Sequence, residues 1–296
     1  MVQPIHWFPG HMAKARREIT EQLRSVDVVL EIVDVRLPLA SANPMLHDLL
    51  GKKPRVLVLT REDLADPAVT SRWLEHFRRA GQLAVVVDAR TGAGIRNITP
   101  ALEQAVREKR AKEANRGLKP GTIRTMVVGI PNAGKSSVIN RLAGRAATKI
   151  GDRPGITKTQ QWIRLGAVDL LDTPGVLWPK IEDQKAGYML AITGAIKPEI
   201  LDMQVLAAYL ISWLSQHYTS ALSERYGVDV QPFLWEDVES GWGKAEPVLE
   251  AIAAKRGFRR SGGVLDVERA AELMIRETQT GKLGRLSFEM PPVLPT

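Results

Sequence analysis

The chain has 296 residues with 41 Lys and Arg, 33 Asp and Glu and no cysteine, a formal net charge of +8. This excludes disulfide frameworks and thiolate zinc sites and leaves room for a full core and a second domain. No run approaches the roughly 18 uninterrupted apolar residues of a membrane span, and Met1-Val-Gln-Pro-Ile-His-Trp7 has no charged start followed by an apolar stretch, so the expectation is a cytoplasmic protein with no membrane and either a polyanionic partner or a merely soluble basic surface.

An N-terminal segment, 1–24, carries Trp7-Phe-Pro-Gly-His-Met12 and Ala13-Lys-Ala-Arg16; taken alone, His11 reads as a surface or capping residue. Three apolar strand candidates follow, Val28–Val35, Arg55–Leu59 and Leu83–Val87. Each precedes a turn-rich or helical stretch, the alternation of a parallel sheet with helices on its faces. The second strand ends in Thr60-Arg-Glu-Asp63 and the third in Asp88-Ala-Arg-Thr-Gly-Ala-Gly94. Loops at such strand ends are where open α/β sheets bind ligands, and both can hold a base. A helix N-cap or turn residue is the competing reading of Asp63. Glu103–Arg124 reads as a charged helix and then a linker broken by Gly117, Pro120 and Gly121. Its basic residues form either a solvated face or an RNA contact.

Thr125-Met-Val-Val128 is a short buried strand, and Ser136–Leu142 has helical spacing. Between them lies Gly129-Ile-Pro-Asn-Ala-Gly-Lys-Ser136, a phosphate-binding loop in its required strand and helix context. Its backbone N–H groups would wrap a triphosphate, Lys135 would reach the outer phosphates and Ser136 would hold magnesium. A stretch without apolar periodicity, Arg145–Gln161, is expected to be a mobile loop. Trp162–Leu165 and Val168–Leu171 around Gly166-Ala167 predict a hairpin that returns Asp172 to the phosphates, in the motif Asp172-Thr-Pro-Gly175. The two motifs together specify an NTPase.

Beyond Asp183 the pattern changes to amphipathic helices at Ala186–Ile192, Met203–Tyr218, Glu246–Lys255 and Val267–Thr278. Leu206, Leu210, Trp213 and Leu214 share one helical face and read as core. Lys255, Arg256, Arg259 and Arg260 cluster beside Phe258, with Lys282 and Arg285 further on. Such a cluster suits structured RNA, with a solvated charged turn as the alternative.

In most GTPases the phosphate loop comes first and the base-reading loops last; here the order is reversed, which is a circular permutation. With Trp7–Met12, Ala13–Arg16, Pro154-Gly-Ile-Thr157 and Asp172–Gly175, the chain resembles the circularly permuted GTPases, and more narrowly the ribosome-biogenesis GTPase A (YlqF-type) family, through residues 1–180. The expected fold is α/β: a circularly permuted P-loop GTPase domain over 1–180, with a mostly parallel sheet and helices on both faces, and a small all-helical C-terminal domain over 181–296.

The resemblance implies GTP and GDP as ligands, with magnesium at Ser136, Thr157 and Asp172 and potassium at Asn132. Further nucleotide contacts fall on Thr60, Arg61, Asp63, Asp88, Ala89, Ala133, Gly134, Lys135, Ser137 and Gly175. Asp63 would accept hydrogen bonds from guanine N1–H and its 2-amino group, and the Ala89 N–H would face O6. Thr60 and Arg61 depart from the family's Asn and Lys; Thr60 lacks the amide for N7, and Arg61 must supply the packing over the ring. Val176 stands where Ras-like proteins carry the water-orienting Gln. The resemblance offers His11 as the water-activating residue, beside Lys135 in catalysis, and an imidazole titrating near neutral pH can accept that proton.

It further implies a monomeric, slow GTPase stimulated by potassium and by its partner, the large ribosomal subunit or its precursor, with rRNA on the helical domain. Because the chain enters that domain soon after Gly175, hydrolysis is expected to change where it sits. Two other readings stand beside this one. The first is a nucleotide-gated RNA-binding module in which hydrolysis is incidental. The second is a membrane-surface NTPase, against which stands the helix at 203–218, whose apolar face has no flanking Lys or Arg.

Overall fold

The computed structural model describes residues 17, 19–42, 44–119, 121–144, 161–173, 183–198 and 201–292. Contacts divide the chain into two units, Met1–Glu182 with Glu289–Thr296, and Asp183–Phe288. The sequence reading carries the helical domain through to 296; the structure returns 289–292 to the first unit.

Among the described residues, the first unit is built on a six-stranded sheet. Its strands are β1 (Val28–Asp34), β2 (Arg55–Thr60), β3 (Leu83–Val86), β4 (Ile123–Gly129), β5 (Gln161–Arg164) and β6 (Val168–Asp172). Their spatial order is β3-β2-β1-β4-β6-β5, all parallel except the β5–β6 hairpin. Every residue of β1 is buried, which is why it reads as an unbroken apolar run rather than an alternation. The exceptions are Glu31, whose carboxylate pairs with Arg55 at 2.9 Å, and Asp34 at the strand's end. Register places Val29, Val33, Leu57, Leu59, Met126, Val128 and Leu171 on one face. Ile19, Leu23, Leu46 and Leu50 cover one part of it, and α2 (Pro67–Arg79) covers the rest with Val69, Trp73 and Phe77. Leu46 and Leu50 belong to α1 (Pro44–Leu50).

The α2 helix starts where Asp66 accepts hydrogen bonds from the N–H groups of Ala68 and Val69, with Pro67 at its first position. The expected charged helix is two: α3 (Ile98–Ala105), packed along β1, β2 and β3, and α4 (Arg107–Asn115). They part at Val106, which is buried and has left helical geometry. Lys109 and Arg110 are engaged within the fold, with Asp27 and the Gly121 carbonyl, and Arg124 lies 4.6 Å from the Trp162 ring centroid. Arg107, Lys112, Arg116 and Lys119 remain on the surface.

From β1 the chain moves outward through β2 to β3, then returns to the other side of β1 as β4. The crossovers therefore diverge between β1 and β4, the topological switch point at which open α/β sheets form a ligand crevice at the carboxyl ends of their strands. The phosphate loop and α5 (Lys135–Ala143) follow β4 at that point.

The second unit contains α6 (Gln184–Ile192), α7 (Met203–His217), α8 (Ala221–Tyr226), α9 (Val238–Arg256) and α10 (Val267–Gln279). Asp183, Asp202, Asp237 and Asp266 cap α6, α7, α9 and α10 through their side chains. Leu206, Leu210 and Leu214 are fully buried where α7 meets α9 and α10, as core residues should be. The α9 helix begins before the expected Glu246, despite Gly241, Gly243 and Pro247 within it. Gly241 is required by packing: a Cβ there would stand 2.3 Å from the Trp235 ring, which also meets Tyr188 and Tyr209 edge-on. No helix among the described residues is long and apolar enough to cross a membrane.

Candidate functional site

The phosphate loop leaves β4 at Gly129, where φ is 152° and a Cβ would lie 2.5 Å from the Ile32 carbonyl oxygen. Only glycine fits so close to β1. Asn132 holds a left-handed φ of 57° and Gly134 one of 95°, which turns the loop into the first turn of α5. Lys135 is buried, and its Nζ donates to the carbonyls of Gly129 at 3.1 Å and Ile130 at 2.9 Å. Burial brings its pKa down to about 8, opposed by the Asp172 carboxylate at the end of β6. Ser136 is half-buried at the start of α5, and Thr173 ties the chain beyond Asp172 back to β4 by donating to the Val127 carbonyl at 2.6 Å. A hydroxyl and a carboxylate are hard oxygen donors suited to magnesium. No group of three or more His, Cys, Asp or Glu with metal-site geometry occurs among the described residues.

The base loops come from β2 and β3 and meet the phosphate loop directly. Thr60 is 1% exposed, and its Oγ1 lies 2.7 Å from the Ala133 carbonyl oxygen and 3.0 Å from that of Val33. Its hydroxyl joins β2 to the phosphate loop. Arg61 adopts the left-handed conformation (φ 60°, ψ 36°), unusual for a side chain of its size. Its guanidinium reaches the Asn132 carbonyl at 3.0 Å and the Asp34 carboxylate at 3.4 Å, which leaves only the aliphatic stem to lie along a ring. Burial pushes the Arg61 pKa down, with Asp34 opposing. Asp63 sits in a single 3-10 turn, Glu62–Leu64, with its carboxylate 3.3 Å from Arg90 Nε.

Asp88 spends its carboxylate inside its own loop, accepting from the N–H groups of Arg90 (2.7 Å) and Thr91 (3.3 Å) and from the Thr91 hydroxyl (2.7 Å). Burial raises its pKa, yet these bonds hold it below the ordinary carboxylate value. Ala133 is buried, and Ser137 is exposed on the outer side of α5. His11, Thr157 and Gly175 lie outside the described residues. Among the described residues, one edge of the sheet thus gathers Thr60, Arg61, Asp63, Asp88, Ala89 and the phosphate loop from two separate stretches of sequence.

Known proteins are similar to this chain along nearly its whole length. Ribosome biogenesis GTPase A of Bacillus cereus is 46% identical over 97% of this chain and 94% of its own. The Thermotoga maritima protein of the same name is 32% identical over 97% of this chain and 95% of its own. The chain belongs to the ribosome biogenesis GTPase A family.

Within ribosome biogenesis GTPase A proteins, the solved structures of T. maritima YlqF with GNP and with GDP match this fold with TM-scores of 0.65 and 0.66 at 27% identity. They cover 95% and 93% of this chain, and 100% and 99% of their own. A family model described as 50S ribosome-binding GTPase matches residues 124–221. That match opens at β4 and leaves out the base loops, as expected when they precede the phosphate loop. As a ribosome biogenesis GTPase A the chain binds GTP and GDP and hydrolyses GTP.

Sequence reading missed four residues of this site. Asp34 and Arg36, at 2% and 1% exposure, form a two-pronged ion pair beneath Arg61, with Nε at 3.0 Å and Nη2 at 2.7 Å from the two carboxylate oxygens. Their signal was a pair of charges closing an otherwise apolar strand. Arg90 reaches Asp63, and Arg141 of α5 donates to the carbonyls of Ala89, at 2.8 Å, and Arg90. Both stand in polar stretches where nothing local marks them.

Proposed function

We propose that this GTPase is an assembly factor that binds the large ribosomal subunit or its precursor late in maturation, stays while GTP is bound and leaves after hydrolysis. The observation that carries the reading is the convergence of the base and phosphate loops at the β1/β4 switch point, in a chain whose relatives are named for ribosome biogenesis.

In this reading Asp63 accepts from guanine N1–H and the 2-amino group, where adenine offers no such pair of donors. The Ala89 N–H meets O6. On nucleotide binding Lys135 exchanges its two loop carbonyls for phosphate oxygens. Ser136, Thr157 and Asp172 would hold magnesium, which would draw charge from the γ-phosphate, and the Gly175 N–H reports that phosphate. Asn132 would hold potassium, which would supply positive charge to the phosphates, and His11 activates the attacking water. The helical unit supplies rRNA contacts. There Lys255 and Arg259 already bond the carbonyls of Gly227 and Gly263, Arg260 pairs with Asp266 and Glu268, and Arg269 covers the Phe258 ring at 4.4 Å. A preformed basic surface of this kind favours phosphate contacts over base stacking on Phe258. The setting is the cytoplasm, and the protein acts as a monomer.

The test is co-sedimentation with large subunits and their precursors in GDP, GTP and a non-hydrolysable analogue over a salt series. The expected result is retention with the analogue, release with GTP, and steep weakening as salt rises. Equal retention with GDP and the analogue, or release by the analogue as fast as by GTP, would favour a binding module whose hydrolysis is incidental.

A further inference from the structure

The loop after β3 is held from both sides. Arg141 donates from Nε to the Ala89 carbonyl at 2.8 Å and from Nη2 to the Arg90 carbonyl. On the other edge of the same two peptide groups, Asp88 Oδ1 accepts from the N–H of Arg90 at 2.7 Å and of Thr91 at 3.3 Å. Two consecutive peptide planes are therefore pinned at their carbonyl and amide ends at once. The Asp88 N–H is itself fixed on the Ala93 carbonyl at 3.1 Å. Between these anchors lies the Ala89 N–H, which donates to no described residue. Gly92, at φ +90°, brings the loop against the guanidinium, with a would-be Cβ 3.8 Å from Nη1.

We propose that Arg141 is a specificity-determining positioning residue, clamping the loop so that the Ala89 N–H is aimed at the purine 6-position before nucleotide arrives. Arg141 lies on α5, whose first residue is the phosphate-binding Lys135, so one rigid helix sets the distance between the phosphate end and the O6 end of the ligand. Planar guanidinium geometry lets a single side chain grip two carbonyls; a lysine grips one. Orienting a donor in advance matters because a hydrogen bond made by a floppy loop must first supply the ordering entropy. The inference rests on the reading that Ala89 faces O6 and Asp63 faces the 2-amino group.

The experiment compares GDP with two analogues in wild type, Arg141→Ala and Arg141→Lys, by fluorescence competition with magnesium present. 6-Thioguanosine diphosphate carries sulfur, a weaker acceptor, at the 6-position and keeps N1–H and the 2-amino group; inosine diphosphate lacks the 2-amino group. Wild type should discriminate against each by about tenfold, the worth of a hydrogen bond weakened or lost. In Arg141→Ala the O6 discrimination should fall to about threefold or less while the 2-amino discrimination persists, and Arg141→Lys should be intermediate. Arg141 is exposed, so the thermal midpoint should stay close to wild type and report that the variant is folded. An equal loss for all three nucleotides, or an unchanged O6 discrimination, overturns the proposal. If wild type itself shows no O6 discrimination, the Ala89 reading fails and takes the proposal with it.

Discussion

Thr60 and Ala133, from the two halves of a permuted site, are joined by a hydrogen bond of 2.7 Å from the threonine hydroxyl to the alanine carbonyl. The Thr60 hydroxyl has one proton and two carbonyls within reach, and the shorter contact is to the phosphate loop. Gly134 packs on the same side chain, with a would-be Cβ 3.6 Å from it. Thr60→Val keeps the shape and removes the donor, leaving a buried carbonyl unmet. It should cost about 1–3 kcal/mol of stability and raise the GDP dissociation rate. Urea unfolding with unchanged slope, and a fluorescent-GDP chase, would check both effects; a wild-type unfolding midpoint would contradict the structural role of the hydroxyl.

Lys135 makes binding sensitive to alkaline pH. Its pKa in the nucleotide-free protein is about 8, lowered by burial, and the phosphates of a bound nucleotide must raise it. Below that value the lysine is charged in both states, and affinity is flat. Above it the free protein has lost a proton that the complex regains, so GDP affinity should fall by up to about tenfold per pH unit. Titration between pH 7 and 9 checks this, and calorimetry at pH 8.5 in buffers of different ionisation heat should show proton uptake. Lys135→Met should bind weakly, with the slope removed.

Asp63 is 3.3 Å from an exposed arginine and is not needed to hold its own turn, so its replacement is structurally mild. Asp63→Asn turns one acceptor into a donor. Guanine then meets a mismatched amide, whereas the 2-oxo group of xanthine gains a partner. Preference should shift from GDP to xanthosine diphosphate by about a hundredfold, each matched hydrogen bond contributing roughly tenfold. A variant that still prefers GDP would remove Asp63 from the base site.

Glu289 brings the chain back to the first unit after the helices. Its carboxylate accepts the N–H groups of Leu39 and Ala40, both at 2.7 Å, and its carbonyl accepts the Trp73 indole at 3.0 Å. Met290 packs against the apolar cluster that contains Trp73. Glu289→Ala should destabilise the first unit by about 1–3 kcal/mol, and Glu289→Gln by less, because charge-assisted bonds are the stronger kind. The Trp73 indole N–H resonance, followed by NMR through urea unfolding, reports that unit, and equal midpoints for wild type and both variants would show the strap to be ornamental.

The strands and the phosphate loop were legible because their signals are local. A fully apolar run makes a buried parallel strand, and Gly129, Gly134 and Lys135 carry their chemistry at fixed spacing. Helix α9 was read short because Gly241, Gly243 and Pro247 are poor helix formers; the Asp237 cap and the Trp235 contact override that preference. Arg61 was expected to supply packing over the ring; its guanidinium is drawn to Asn132 and Asp34, which leaves the aliphatic stem for that role.

By itself the sequence determined the element types, the reversed motif order and the nucleotide chemistry, since period, glycine spacing and hydrogen-bonding groups are properties of short segments. Only the tertiary structure decided that Thr60 bonds Ala133, that Arg141 clamps Ala89 and that Glu289 straps Leu39 and Ala40. Each of these joins a side chain to a backbone group far away in sequence. Every residue carries the same N–H and C=O, so no local pattern can say which distant one will be met.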